Sequence, residues 1–136
     1  MSNGTAKYQR LSNTAKDVYN ERGCCGVIAV AIYCNVSFGQ ARAALERAGR
    51  KHGHGTTVSQ LVSAVKELDG VELVLDKRTP TDKFTVNGAP EALSDTRRAM
   101  LLTRGHVAAM IDGVVHDYTQ GRRHRVIGTL TEASYL

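Results

Sequence analysis

The chain has 136 residues, of which 42% are hydrophobic and 23% charged, and its formal net charge is +5. These values are typical of one globular domain and exclude a disordered or fibrous chain. The longest apolar run, Cys24–Cys34, is about half of the ~20 residues that cross a membrane, and it begins too late for a secretory signal. We therefore expect no membrane partner. The three cysteines are odd in number and two are adjacent, which favours a reducing cytoplasm over a disulfide framework.

In chain order, one domain over residues 1–136 is expected to begin with a polar segment and then a buried helix. Residues 1–17 are mostly polar, and we expect them to form a loosely held arm. The segment Cys24–Tyr33 is apolar on every side, which predicts a helix in the centre of the core. Gly26 lies near its start, where glycine costs the helix least.

Two amphipathic helices follow, each with a start and a stop signal. Ser37 and Thr57 each precede a Gln by three residues, which is the spacing of a capping box. Apolar residues recur at helical spacing behind each box, and the segments end at Gly49 and Gly70.

After Gly70 the pattern changes to short β-rich runs. The step Asp112-Gly113 between two of these runs is a strong signal for a two-residue hairpin loop. Helices first and strands second predict an α+β domain, with a helical half packed on a C-terminal antiparallel sheet. The predicted strands are Val71–Leu75, Lys83–Val86, Arg98–Leu102, His106–Ile111, Val114–Thr119 and Arg123–Ile127.

Cys24 and Cys25 lie at the predicted start of the buried helix. Free backbone amides and the helix dipole lower the pKa of a thiol at such a position, so a nucleophilic cysteine is expected there. The alternative is that a small apolar residue merely fits at the helix start, since free cysteines are commonly buried and inert. Cys34, at the far end of the same helix, is predicted to be a core residue.

A thiolate enzyme also needs a base, usually histidine, and a group that orients it. Of the five histidines, His106 and His116 fall on the predicted hairpin. With Asp112-Gly113 as the loop, Ala109 faces His116, and His106 shares a sheet face with its diagonal neighbour Asp117. His116 falls on the opposite face. His106 therefore has a carboxylate within reach, unless it merely ends a strand and Asp117 is solvated.

Two segments in this order resemble a known family. Asn20–Ala31 (NERGCCGVIAVA) has a Cys-Gly step at the start of a buried helix. Gly105–Asp117 (GHVAAMIDGVVHD) has a Gly-His-hydrophobic strand that turns through a short hairpin into a strand ending in Asp. Together they resemble the papain-like cysteine peptidases, in particular the small bacteriocin leader-peptidase domains and short phage-encoded members. The resemblance covers about residues 18–127.

The resemblance implies a thiol-dependent hydrolase that cleaves a peptide or amide bond of a peptide or protein substrate through an acyl-enzyme, with no cofactor and no metal. It makes Cys25, the cysteine followed by Gly26, the nucleophile, and Cys24 a neighbour and secondary candidate. His106 becomes the base and Asp117 the residue that holds its tautomer. A phage origin implies the host cytoplasm.

The chain departs from the family pattern just before the nucleophile. Papain-like enzymes carry a Gln about six residues before the nucleophile, where this chain has Tyr19. Asn20 is then the best side-chain donor for the oxyanion, beside the backbone amide of Cys25, with Glu21 as an anionic neighbour. An inactive or slow relative of the family is therefore an alternative.

A second function remains open, a basic binding protein on the same scaffold with nucleic acid or an acidic protein as partner. The arginines and lysines that would form its basic surface are also commonly just solvated on exposed faces. A zinc site of His52 and His54 with the cysteines can be drawn, but no Cys-x₂-Cys pair supports it. The candidate basic surface comprises Arg42, Arg47, Arg50, Lys51 and the run Arg122–Arg125.

Overall fold

The computed structural model describes residues 4–22, 24–78, 84–118 and 123–133. Within these ranges the chain is mixed, with helices and an antiparallel sheet, so the predicted α+β class is confirmed. The helices are α1 (Gly4–Tyr19), α2 (Cys25–Cys34), α3 (Phe38–Arg47), α4 (Val58–Asp69) and α5 (Ala89–Ala92). The strands are β1 (Leu73–Lys77), β2 (Phe84–Thr85), β3 (Arg98–Thr103), β4 (His106–Ile111), β5 (Val114–His116), β6 (Arg125–Val126) and β7 (Gly128–Glu132).

Helix α2 is the centre of the core and packs on β4, α3 and α4. Every residue from Gly26 to Tyr33 is buried, as expected of a segment that is apolar on all sides. The helix begins at Cys25, one residue later than predicted, and Asn35 ends it in the left-handed conformation.

No single helix in the described part of the chain is long and apolar enough to cross a membrane. Only α2 and α3 counted together, across a bend of 112°, reach the length and apolarity of a span.

The next two helices begin as the sequence predicts. The side chains of Ser37 and Thr57 accept hydrogen bonds from the backbone N–H groups of Gln40 and Gln60, and each Gln side chain accepts one in return. Each cap residue stabilises its helix by about 1 kcal/mol. Helix α4 also stops at the predicted Gly70, whose φ of 70° is readily adopted only by glycine.

Residues 4–19 form α1 and not the loosely held arm expected for residues 1–17. The helix packs against β5, α2 and α3, and both Tyr8 and Ala15 belong to the buried core. Leu11 and Tyr19 pack against the same core from partly buried positions. These four residues recur every three or four positions, so α1 buries one narrow stripe while most of its surface is polar.

Five strands form an antiparallel sheet in the order β1-β7-β3-β4-β5, and β2 pairs with β6 in a small second sheet. Strand β7, which is absent from the predicted strands, lies between β1 and β3. Leu130 is the only large apolar residue of β7 and is fully buried. A single apolar residue between Thr129 and Thr131 is a weak strand signal, and the neighbouring strands supply what the local pattern lacks.

The hairpin of β4 and β5 has the predicted register, with Ala109 opposite His116 and Ile111 opposite Val114. Asp112 and Gly113 have φ values of 48° and 81°. Two consecutive residues with positive φ are what a type I′ hairpin loop requires. Strand β5 ends at His116, before the predicted end at Thr119, which lies outside the described residues.

The five-stranded sheet separates two hydrophobic clusters. Met100 of β3 belongs to the larger cluster around α2, whereas its neighbours Ala99 and Leu101 belong to the smaller one. The smaller cluster also contains Ala89 of α5 and Val126 of β6. Helix α2 packs on β4 within the larger cluster, on the opposite face of the sheet from the smaller one.

Candidate active site

Cys25 is the first residue of α2, where backbone N–H groups have no partner within the helix. Its side chain is partly exposed. The next residue must be glycine for a steric reason, because a Cβ at position 26 would lie 2.0 Å from the hydroxyl oxygen of Thr56. The Cys-Gly step therefore allows the loop before α4 to pack against the first turn of α2, next to the thiol.

His106 and Asp117 are brought together by the β4–β5 hairpin. His106 Nε2 lies 2.8 Å from Asp117 Oδ1. The same carboxylate oxygen accepts a hydrogen bond from the backbone N–H of Tyr118 at 2.8 Å, and Asp117 is only 1% exposed. A buried carboxylate held in this way fixes the orientation and tautomer of the imidazole ring.

Two tyrosine rings surround the imidazole of His106. The ring of Tyr118 meets it edge-on at 5.4 Å between centroids, and the ring of Tyr8 lies 6.4 Å away. Tyr8 and Tyr118 also contact each other, at 6.3 Å. Aromatic contacts of this kind help to hold the imidazole ring in position.

The Cys25 thiol and the His106 ring line the same cleft, where α2 packs on β4. Burial acts to raise the pKa of Cys25, but hydrogen bonds with the His106 ring and with nearby backbone groups outweigh burial and hold this pKa below its ordinary value. Burial acts to lower the pKa of His106, whereas hydrogen bonds with Asp117 and Cys25 raise it to about 9. Since Asp117 occupies Nε2, Nδ1 is the nitrogen left for the thiol. Both shifts favour the thiolate–imidazolium pair over the pair of neutral groups.

The other two cysteines have different surroundings. Burial, followed by the negative charge of Glu21, raises the pKa of Cys24. Burial together with the charge of Asp69 raises the pKa of Cys34 to about 12. Cys25 is therefore the cysteine whose environment favours the reactive thiolate form.

Asn20 does not take the predicted position at the oxyanion. It is exposed, has a φ of 51° and is not one of the residues that line the cleft over Cys25. The expectation fails because α1 continues as far as Tyr19, so that Asn20 is the residue at which the chain leaves the helix. Asparagine tolerates the left-handed conformation better than most residues, which suits it to a helix end.

Glu21, expected to be an awkward anionic neighbour, is instead buried and fully paired. Its carboxylate accepts hydrogen bonds from Arg50 Nη2 at 2.8 Å, Arg42 Nε at 2.5 Å and the backbone N–H of Gly53 at 2.8 Å. Burial acts to raise the pKa of Glu21, but these three donors lower it to about 2. Glu21 thereby ties the segment before the nucleophile to the loop that follows α3.

Three of the six arginines of the predicted basic surface are paired with carboxylates. Arg42 and Arg50 bind Glu21, and Arg47 forms an ion pair with Glu67. Lys51 and residues 123–125 are exposed, and residue 122 lies outside the described residues. The ion pairs reduce the positive charge that Arg42, Arg47 and Arg50 offer to phosphates, whereas Lys51 and residues 123–125 stay exposed.

Over the described ranges, the structure has no cluster of three or more His, Cys, Asp and Glu side chains that would suit a metal ion. The His52 ring instead contacts Arg42 at 3.1 Å and lies 3.8 Å from the Glu21 carboxylate. The zinc arrangement considered from the sequence has no counterpart among these residues.

A cleft of about 760 Å³ opens over Cys25 and His106. Helix α1 contributes a polar part of its lining, and the β-strands contribute an apolar part. Leu75 and Leu102 approach each other at Gly128, where an added Cβ would be 3.3 and 3.5 Å from their side chains. The cleft is lined by Tyr8, Ser12, Lys16, Glu21, Arg22, Cys24, Cys25, Ile28, Gly55, Thr56, Val58, Leu61, Leu75, Lys77, Leu102, Thr103, Gly105, His106, Val107, Tyr118 and Ile127.

The contribution of Tyr8 to this site and the paired role of Glu21 were not identified from the sequence. Tyr8 lies in the segment interpreted as an arm, and its only signal is the spacing of the narrow apolar stripe of α1. The role of Glu21 depends on Arg50, which is distant in sequence and indistinguishable there from a solvated arginine. Nothing short of the tertiary structure reveals such a pair.

Comparisons with known proteins give no match to any protein-family model, curated protein or solved structure.

Proposed function

We propose that the protein is a thiol-dependent hydrolase of peptide or amide bonds, acting through an acyl-enzyme on Cys25 with His106 and Asp117. The observation that carries this proposal is that one open cleft is lined both by Cys25, whose pKa is held below its ordinary value, and by His106, whose ring a buried aspartate orients. Helix-borne Cys, strand-borne His and an Asp after the next strand also support a papain-like fold.

Acylation follows from this arrangement. The Cys25 thiolate attacks the scissile carbonyl carbon, a C–S bond forms, and the π electron pair of the carbonyl moves onto its oxygen. The backbone N–H of Cys25 is the first donor available to that oxyanion. When the intermediate collapses, the C–N bond breaks and the His106 imidazolium gives its proton to the leaving amine.

Deacylation reverses these roles. His106, now neutral, takes a proton from water while the water oxygen attacks the thioester carbon. The C–S bond then breaks, the carboxylic acid product leaves, and the sulfur returns to a thiolate beside an imidazolium. No redox reagent or cofactor enters this sequence. Free thiols of this kind fit the reducing cytoplasm expected above.

The cleft supports a peptide as the substrate. Leu75 and Ile127 are 37% and 41% exposed, although both are large apolar residues of the cleft lining. Exposed apolar side chains gathered in a cleft are typical of a binding site. They provide a place for an apolar side chain of the substrate, beside the exposed cations Lys16 and Lys77.

Alkylation rates test the proposal. Iodoacetamide is applied between pH 5 and 9, and modification of each cysteine is followed by peptide mass spectrometry. We expect Cys25 at pH 6 to react at least about tenfold faster than Cys24 and Cys34, because Cys25 is the only one of the three whose pKa lies below its ordinary value. His106→Ala removes this advantage, whereas His116→Ala, on the same hairpin, retains it.

Peptide hydrolysis completes the test. A peptide mixture cleaved by the wild-type protein is expected to remain intact with Cys25→Ser. Equal and slow alkylation of all three cysteines, with no response to His106→Ala, contradicts the proposed function.

A further inference from the structure

The oxyanion of the proposed reaction lacks a side-chain donor in the position expected from the sequence. Acyl-transfer sites gain about 10²–10³ in rate from a second donor beside the nucleophile's own backbone amide. Asn20 is exposed and outside the cleft. Among the hydroxyls that line the cleft, Thr103 is engaged with the backbone carbonyl of His106 at 3.2 Å, and Thr56 is packed on Gly26.

Tyr8 is differently placed. Its side chain extends from α1 into the same cleft as Cys25, and its ring packs against both His106 and Tyr118. The residue is only 7% exposed. Within the described part of the chain its hydroxyl has no hydrogen-bond partner, yet it is not among the polar atoms sealed in the interior. The hydroxyl is therefore a donor that faces the cleft and is available to a ligand.

The ionisation of Tyr8 suits it to donate. Burial raises the pKa of the Tyr8 hydroxyl above its ordinary value, and the charge of Cys25 is the next largest cause. A phenol next to a thiolate stays protonated throughout the working pH range, so its O–H bond remains available.

We infer that the Tyr8 hydroxyl is the side-chain donor to the oxyanion and is a further catalytic residue; this inference rests on the proposed function. As the sulfur of Cys25 bonds to the carbonyl carbon, the carbonyl electron pair moves onto oxygen. Tyr8 donates a hydrogen bond to that oxygen and keeps its own proton. The bond is released when the C=O double bond re-forms and the leaving group departs.

Two reagents separate this role from a structural one. p-Nitrophenyl acetate acylates a thiol through a tetrahedral oxyanion, whereas iodoacetamide alkylates it by displacement with no oxyanion. We expect Tyr8→Phe to lower the acylation rate of Cys25 about 10²-fold and to leave its alkylation rate within about twofold. Tyr33→Phe is the matched control, because the Tyr33 hydroxyl is buried, has no partner within the described residues and lies outside the cleft. Both rates should be unchanged in that variant.

The outcomes are distinguishable. If Tyr8→Phe acylates as fast as the wild-type protein while Cys25 remains the fastest-alkylated cysteine, the inference is wrong and the proposed function stands. If both rates fall together, Tyr8 only positions His106, and the inference is again wrong. If Cys25 of the wild-type protein reacts no faster than Cys34 with either reagent, the proposed function itself fails, and this inference with it.

Discussion

Thr56 lies against the backbone of Gly26, so closely that even one added methyl group there would overlap its hydroxyl oxygen. This contact joins the loop before α4 to the helix turn that carries Cys25. The glycine after the nucleophile is therefore required by packing and not by backbone conformation, since Gly26 lies within an ordinary α-helix.

The contact predicts a specific stability effect. Gly26→Ala is expected to lower the free energy of unfolding by about 1–3 kcal/mol, because Thr56 must move to make room. Gly55→Ala is a matched control with nothing within 4 Å of the added Cβ. The double variant Gly26→Ala/Thr56→Gly should recover part of the loss in urea denaturation. A stable Gly26→Ala protein would show that the loop adapts without cost.

The pH dependence of hydrolysis is predicted to follow His106 on its alkaline side. His106 must be protonated to serve the leaving group, so activity should fall as pH rises through about 9. Asp117→Asn keeps an acceptor at His106 Nε2 but removes the negative charge that raises the pKa. The alkaline limb of kcat/KM should then move down by about one unit or more, whereas Asp117→Ala should also lose about 10²-fold in rate. If the alkaline limb of kcat/KM stays at the same pH in Asp117→Asn, Asp117 does not raise the pKa of His106 and the prediction is wrong.

Glu21 is predicted to stabilise the fold in a pH-dependent way. Its pKa in the folded protein, about 2, is below the unfolded value, so the unfolded state binds more protons in acid. The ionised Glu21 carboxylate contributes ~3 kcal/mol to the free energy of unfolding. This contribution is complete above about pH 4.5 and is lost as pH falls through about 2.

Glu21→Gln leaves the buried Arg50 without its counter-charge and should cost about 3 kcal/mol at pH 7. Unfolding measured from pH 7 to 2 should show a shallower loss of stability in this variant than in the wild-type protein. Glu67→Gln, which breaks an exposed pair with Arg47, should change stability little. Indistinguishable acid profiles for wild type and Glu21→Gln would be incompatible with a charged, buried Glu21.

The features predictable from the sequence are those encoded over a few neighbouring residues. The capping boxes at Ser37 and Thr57 and the loop at Asp112-Gly113 are local chemistry, and the structure has each of them as predicted. The proximity of His106 to Asp117 follows from the hairpin register by simple alternation.

What escaped prediction depends on contacts between distant segments. Strand β7 is held between β1 and β3 by pairing with both. Helix α1 is stabilised by the packing of Tyr8 and Ala15 in the core. The position of Asn20 shortly before Cys25 predicts a donor to the oxyanion, but the extent of α1 decides where its side chain lies. Tertiary packing overrides local pattern in each case.

The separation of Cys25 and His106 between a helix and a strand has one more consequence. A chain whose helices have not yet docked on the sheet carries a thiol of ordinary pKa, near 8.5, and an unremarkable imidazole. Nucleophilic potency is thus expected to emerge only upon completed tertiary assembly. Nascent or aggregated copies would then react slowly with alkylating reagents. Rapid labelling of this sulfur would therefore measure the fraction of correctly folded protein in a preparation.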